Sequence, residues 1–321
     1  MITSVSRTLA WVGERGTYAL SISLLLGMLL PGLSAYLRPF LEESVFSLLV
    51  MAFIRVRPQS LWHQIKSPKL ILLATGWQML FVPLAVAALI NFVLAPHMDP
   101  DIRLILVIIT VGPSLMSVPA FMFIMRLDGV MILLTLICSM LIAPLTTPIT
   151  AELVLGAKVS FNAIDLAQNL SLMLGGAFLV ASILRKLLGD AFIAGKRAQL
   201  DAMNVLLLFF FAIIAMDGVA DSLSDRPLFT LSIAALTMCA SFFQMGLTFL
   251  AFLPAGKQKA FIVAYASGNR NMGLMVAALG STLPEVTWLW FALGQIPIYT
   301  FPMIFRPVVR RFILPVETEA T

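Results

Sequence analysis

The chain has 321 residues, of which 60% are hydrophobic and 12% are charged, against roughly 45–50% and 25% in an ordinary soluble domain. This balance excludes a water-soluble globular domain. The net charge of +5 comes from basic residues scattered between apolar stretches, so no nucleic-acid partner is expected. The composition predicts an all-α integral membrane protein that is embedded in the lipid bilayer.

Ten apolar stretches follow one another along the chain, and each is close to the length of about 20 residues that crosses a bilayer as a helix. Their connections are short and include no Ser/Gly-rich linker or charged tail. We therefore predict a single membrane domain over residues 1–321 with about ten transmembrane helices. The stretches are 17–36, 40–55, 69–95, 103–125, 129–149, 164–184, 202–220, 227–253, 258–280 and 286–305.

The lysines and arginines divide unequally between the two sides that an alternating path creates. One side receives sixteen of the 21 and both chain termini. Since basic residues are enriched in cytoplasmic loops, this side, and with it both termini, is predicted to be cytoplasmic. The other side receives four and carries acids such as Asp99 and Glu285. The sixteen are Arg7, Arg15, Arg55, Arg57, Lys66, Lys69, Arg126, Arg185, Lys186, Lys196, Arg197, Lys257, Lys259, Arg306, Arg310 and Arg311.

The fourth stretch is interrupted near its middle by Gly112, Pro113 and Pro119. A proline removes a backbone donor and opposes a straight helix, and the freed carbonyl must be buried in protein or line a cavity. Ser114 and Ser117 lie between the prolines. A kinked helix facing lipid is the alternative, but the serines favour an unwound, functional segment.

The ninth stretch is the most informative part of the chain. Gly268 and Gly273 flank Asn269, Arg270 and Asn271. An arginine at a helix centre costs about 2.5–3.5 kcal/mol on insertion scales. A broken helix that offers amide donors and a fixed cation is a suitable site for an anion.

Arg270 is too deep to reach either membrane surface. It lies eleven residues from both Lys259 and Ser281, which is roughly 16 Å of helix, whereas the side chain extends about 6–7 Å. It must therefore face protein, water or a ligand. The alternative is that Arg270 forms a structural ion pair with a buried acid, for which Asp217 is the nearest candidate. Asp217 itself could instead relay protons or lie at the outer interface.

Each interrupted stretch is the fourth of the five apolar stretches in its half of the chain. This arrangement predicts an inverted repeat, in which residues 164–305 repeat the fold of residues 17–149 with opposite orientation in the membrane. In transporters of this kind the broken helices cross near the midplane and form the binding site. The predicted substrate-binding residues are therefore Arg270, Asn269, Asn271, Gly268, Ser114, Ser117 and Pro113.

Three motifs resemble those of the bile acid:sodium symporter superfamily over nearly the whole chain from about residue 17. WQMLFVP places Gln78 five residues before Pro83, APLTTP covers 143–148, and SGNRNMGL covers 267–274. The resemblance implies ten helices in a core and a panel domain, with the fourth and ninth helices unwound and crossing. It also implies a bacterial member of the superfamily, in the inner membrane.

The chain departs from the family at its sodium ligands. Ala266 and Arg270 stand where sodium-coupled members have glutamate and glutamine, and Val118 and Pro119 where they have serine and asparagine. Of the sodium ligands that can be placed, only Gln78 persists, so at least one sodium site is expected to be absent. Gln78 and Asp217 are kept as candidate ion-coupling residues. Sodium stays an open alternative beside proton coupling and uniport, and our hypothesis is that the guanidinium occupies a sodium position.

These observations predict a secondary transporter of a small organic anion, bile-acid-like or a carboxylate, that works by alternating access. An arsenite or other inorganic-oxyanion efflux permease is the alternative, although related exporters share a fourth-helix cysteine that this chain lacks. No nucleophile, metal or cofactor motif appears, so neither an enzyme nor a bound cofactor or metal is expected. The sequence leaves the oligomeric state open, and a monomer is compatible with it.

Overall fold

A computed structural model describes residues 16–55, 68–94, 100–155, 162–280 and 283–314. Within these ranges the chain is predominantly helical and contains no β-strand; a single isolated bridge joins Ser114 to Arg270. The prediction of an all-α protein is confirmed for the described residues.

The described helices are numbered here in chain order. Those of the first half are α1 (Gly16–Leu29), α2 (Pro31–Leu37), α3 (Leu41–Arg55), α4 (Pro68–Phe92), α5 (Pro100–Val111), α6 (Val118–Ile124) and α7 (Gly129–Leu155). Those of the second half are α8 (Ala163–Leu188), α9 (Asp190–Gly195), α10 (Arg197–Ala215), α11 (Val219–Asp225), α12 (Pro227–Phe252), α13 (Lys257–Gly268), α14 (Met272–Leu279), α15 (Glu285–Leu293) and α16 (Gln295–Val308).

Six helical stretches are long and apolar enough to cross a membrane without a sharp break, and they coincide with the predicted segments three, five, six, seven, eight and ten. They are Pro68–Phe92, Gly129–Leu155, Ala163–Leu188, Arg197–Asp225, Pro227–Ala255 and Glu285–Ile313. The chain is thus a multi-pass membrane protein. The full count of ten crossings, the inverted repeat and the division into core and panel stay predictions.

The first predicted segment, 17–36, is not one straight helix. α1 ends at Leu29, and the chain bends by 100° before it continues through α2 and α3. Leu30 has φ −122° and ψ 64° and precedes Pro31, which begins α2. A residue before proline is disfavoured in the helical region, so the break follows from the local sequence.

Large apolar side chains cover the outside of the bundle. Phe92 is 88% exposed, Leu228 83% and Leu187 76%. In water such a surface would be an aggregation hazard, whereas in a bilayer it contacts lipid tails.

Two apolar clusters form the interior. The smaller one contains residues of α6 and α13, including Phe121, Met122 and Tyr265. The larger one includes residues of α5, α14 and α15, among them Ile108 and Phe291. α5 and α6 belong to the fourth predicted segment, and α13 and α14 belong to the ninth, so the breaks in both segments join the two clusters.

Candidate functional site

The fourth and ninth predicted segments are both broken where the sequence predicts. α5 ends at Val111 and α6 begins at Val118, while α13 ends at Gly268 and α14 begins at Met272. Pro113 cannot donate a hydrogen bond that would continue α5, and Pro119 lies in the first turn of α6, where its missing N–H costs nothing.

The two breaks contact each other and satisfy each other's backbone. The N–H of Leu115 donates to the carbonyl of Asn269 at 2.9 Å, and the N–H of Asn271 donates to the carbonyl of Pro113 at 2.8 Å. These two bonds form the short antiparallel bridge between Ser114 and Arg270. Non-helical backbone is tolerated at membrane depth only when it is satisfied in this way or lines a cavity.

Gly268 lets α12 approach the end of α13 closely. A Cβ on Gly268 would lie 2.7 Å from the carbonyl oxygen of Ser241 and would overlap the side chain of Met245. Since the Ser241 carbonyl is backbone, a larger residue at 268 would force the two helices apart.

Arg270 lies within the crossing and is 2% exposed. Its Nε donates to the carbonyl of Ser267 at 2.9 Å, and its Nη1 donates to the carbonyl of Gly112 at 3.1 Å. Both acceptors lie at the C-terminal ends of half-helices, α13 and α5, where free carbonyls and the helix dipole stabilise a positive charge. The third nitrogen, Nη2, is buried without a hydrogen-bond partner.

No carboxylate in the described part of the chain lies within ion-pair distance of Arg270. Asp217, the acid considered as its partner, forms an ion pair with Arg38 at 2.9 Å. The Arg38 guanidinium stacks on the Trp288 ring at 4.2 Å, and the Trp288 Nε1 donates to the backbone carbonyl of Asp217 at 2.9 Å. Among the described residues, the Arg270 charge is therefore compensated by helix dipoles and not by an acid.

A cavity lies beside Arg270, between α12 on one side and α15 and α16 on the other. Its volume is about 20 Å³, which is room for about one or two water molecules. The lining residues are Ile109, Thr237, Ala240, Ser241, Gln244, Gly268, Arg270, Met272, Trp290, Gly294 and Ile298.

Gln78 is used within the protein. Its Oε1 accepts a hydrogen bond from the Ser114 hydroxyl at 2.6 Å, and its Nε2 donates to the carbonyl of Val263 at 3.4 Å. Gln78 belongs to a π-helical turn, Trp77–Phe81, which ends two residues before Pro83. Pro83 lacks the N–H that would bond the carbonyl of Met79, and a π turn is one way in which a helix accommodates this loss.

The structure brings most of the predicted site residues together at the crossing but divides their roles. Pro113 and the backbone of Asn269 and Asn271 hold the breaks together. The Asn269 Nδ2 donates to the carbonyl of Tyr265, and the Asn271 Oδ1 accepts from the N–H of Leu274 at the start of α14. Of the seven predicted substrate-binding residues, Gly268 and Arg270 belong to the cavity lining as described.

Ser117 and Asp217 lie outside this lining. Ser117 is half-buried, and its carbonyl accepts a backbone bond from Phe121 in α6. Asp217 contacts Arg38 and Trp288 as given above. No group of three or more His, Cys, Asp or Glu side chains that could hold a metal occurs in the described ranges.

Thr237 and Ser241 of α12 were not predicted as site residues, and they line the cavity together with Gln244, for which lining of the core and an interhelical hydrogen bond had both been open interpretations. Their spacing of four and three residues places them on one face of an otherwise apolar helix. A polar stripe on a membrane helix is a signal that could have identified this face.

No protein-family model matches the chain, and no curated protein is significantly similar to it.

Proposed function

We propose that this protein is a secondary transporter that carries a small organic anion across the membrane by alternating access. The observation that carries the proposal is the buried guanidinium of Arg270, which has an unpaired Nη2 and lines a cavity where two broken helices meet.

The environment of Arg270 favours an anionic ligand over a purely structural role. Two carbonyls hold Nε and Nη1, which is enough to fix the side chain in place. The remaining donor still carries a desolvation cost of about 1–3 kcal/mol if nothing accepts from it. On this proposal a carboxylate bound at Arg270 accepts from Nη2, which removes the cost of the unpaired donor, and neutralises the positive charge of the guanidinium.

The broken helices support a transport mechanism in which one part of the protein rocks against the other around a fixed site. On this proposal the chain crosses the membrane ten times as an inverted repeat of 17–149 on 164–305. It is then a bacterial inner-membrane member of the bile acid:sodium symporter superfamily, with both termini in the cytoplasm.

The same geometry argues against sodium coupling. Unwound carbonyls and half-helix C-termini commonly coordinate sodium in such carriers, and here a guanidinium occupies that environment. An arginine cannot leave with the substrate, so its charge assists binding but supplies no driving force. Uniport or proton coupling is therefore the proposed mode.

The experiment is a thermal-unfolding screen of the purified protein, followed by uptake into proteoliposomes. Carboxylates, sterol acids and inorganic oxyanions are compared with uncharged analogues. The proposal expects at least one organic anion to raise the unfolding midpoint through binding to the folded state, and the same anion to enter the liposomes. Stabilisation and transport by inorganic oxyanions alone favours the efflux permease, and a response to no anion removes the transporter proposal.

A further inference from the structure

Helices α13 and α16 run antiparallel and carry basic residues at the same end of the bundle. Gly268 at the end of α13 and Gly294 before α16 line one cavity, while the rings of Phe261 and Phe305 pack with 5.6 Å between their centroids. The residues before Phe261 and after Phe305 therefore extend in the same direction, and α13 also packs against the π-helical turn Val309–Ile313. The exposed basic residues at this end, called here the basic cluster, are Lys257, Lys259, Arg306, Arg310 and Arg311.

Acids in the described part of the chain do not compensate the charge of the basic cluster. Residues 227–314 include one acid, Glu285, which begins α15 and pairs with Arg226. No member of the basic cluster forms an ion pair with a described residue. Asp128 follows α6, which packs on both helices, and its Oδ1 accepts a hydrogen bond from the N–H of Val130. The cluster therefore presents a net positive charge at this end of the bundle.

Basic residues at the ends of α3 and α8 are neutralised within the protein instead. Arg55 pairs with Asp201 at 2.8 Å, and Arg185 pairs with Asp190 at 2.7 Å. The contrast favours an anion from outside the chain as the partner of the basic cluster.

An exposed apolar surface continues from the basic cluster towards the middle of α16. Met303 is 47% exposed, Ile304 43% and Val308 38%, and Phe312 beside Arg311 is 61% exposed. In a bilayer such side chains contact acyl chains, while basic side chains near a helix end reach the headgroups. A ligand with an anionic headgroup and acyl chains is complementary to both parts of this surface, whereas a free phosphate is complementary to the basic part alone.

We infer that the basic cluster binds an anionic phospholipid, with the arginines holding the phosphate group and the acyl chains lying along Met303, Ile304 and Val308. A basic side chain near an anionic lipid surface contributes roughly a fivefold factor in affinity. Three arginines are therefore enough to select an anionic lipid over a zwitterionic one. The lipid site is independent of which anion, if any, the protein transports.

The probes are dioleoylphosphatidylglycerol, which is anionic, and dioleoylphosphatidylcholine, which is zwitterionic. Each lipid is titrated into the purified full-length protein in a neutral detergent, and its apparent affinity is obtained from the rise in the thermal-unfolding midpoint. The wild type is expected to bind phosphatidylglycerol about tenfold or more tightly than phosphatidylcholine. The triple variant Arg306→Gln, Arg310→Gln and Arg311→Gln is expected to lose this preference, and the corresponding three arginine-to-lysine substitutions are expected to keep most of it.

The matched control removes three positive charges from another exposed basic segment, as Lys186→Gln, Lys196→Gln and Arg197→Gln. This variant is expected to keep the preference of the wild type. Glycerol phosphate, which has the headgroup chemistry without acyl chains, is expected to give no stabilisation at the concentrations at which the lipid stabilises the protein.

Equal binding of the two lipids by the wild type overturns the inference, and so does a preference that survives in the glutamine variant. Equal loss in the control variant would show that overall charge, and not this cluster, selects the lipid. Stabilisation by glycerol phosphate as strong as that by the lipid would make the ligand a free phosphate. If the triple glutamine variant does not fold, Arg310→Gln and Arg311→Gln are measured singly, each with an expected reduction of about fivefold, and no reduction in either overturns the inference.

Discussion

The Arg270 Nη1 donates to the carbonyl of Gly112, 3.1 Å away and 158 residues earlier in the chain. This bond joins the ninth segment to the fourth at the point where both are unwound. It places a cation at the C-terminal end of α5, and the bond from Nε to Ser267 places the same cation at the end of α13. Two helix dipoles thus stabilise the charge, while Nη2 is buried without a hydrogen-bond partner.

Gly268→Ala is expected to destabilise the protein, because the added Cβ would meet the backbone carbonyl of Ser241 at 2.7 Å. The expected loss is about 1–3 kcal/mol of unfolding free energy, measured as a lower thermal-unfolding midpoint in detergent. Gly246→Ala is the matched control, since no atom lies within 4 Å of its added Cβ. An equal effect of both substitutions would show that the close approach of α12 and α13 is not required.

Asp217→Asn is expected to lower stability modestly and to leave anion binding unchanged. The substitution weakens the ion pair with Arg38, whose side chain is 48% exposed against 12% for Asp217. Such a pair contributes about 0–1 kcal/mol, and the bond from Trp288 to the Asp217 backbone persists. A double-mutant cycle with Arg38→Gln, read by thermal unfolding and by anion binding, measures the coupling. Loss of binding in Asp217→Asn would instead make this acid part of the transport machinery.

Replacing sodium by choline is expected to change uptake into proteoliposomes by less than about twofold, since a hard cation needs several oxygen ligands. The Gln78 oxygen already accepts from Ser114, and Ala266 offers no side-chain oxygen. Potassium serves as a second replacement cation, which separates a specific need for sodium from an effect of ionic strength. Uptake that disappears in both choline and potassium would restore sodium coupling.

The sequence predicts the helical class, the positions of the two breaks and the removal of Arg270 from the lipid-facing surface. Each of these depends on local chemistry: glycine and proline interrupt a helix, and an arginine in the middle of an apolar segment must face protein, water or a ligand. The bend at Leu30 was missed although Pro31 signals it, because the hydrophobicity of 17–36 is continuous across the proline.

The partners of the site residues could not be predicted in the same way. Asp217 pairs with Arg38, 179 residues away, and α12 forms a wall of the cavity because Gly268 permits its close approach. Such contacts depend on how distant helices pack. The sequence shows that Thr237, Ser241 and Gln244 lie on one polar face of a helix, but it does not show which other helices that face contacts.

The most direct test of the account is the affinity of the purified protein for its organic anion before and after Arg270→Gln. The guanidinium is buried and charge-assisted, so its removal is expected to weaken binding by about 30-fold or more. Arg226→Gln is the control, because Arg226 is 52% exposed and pairs with Glu285 away from the cavity; its affinity is expected to equal that of the wild type. A folded Arg270→Gln protein that binds the anion as tightly as the wild type would contradict the account.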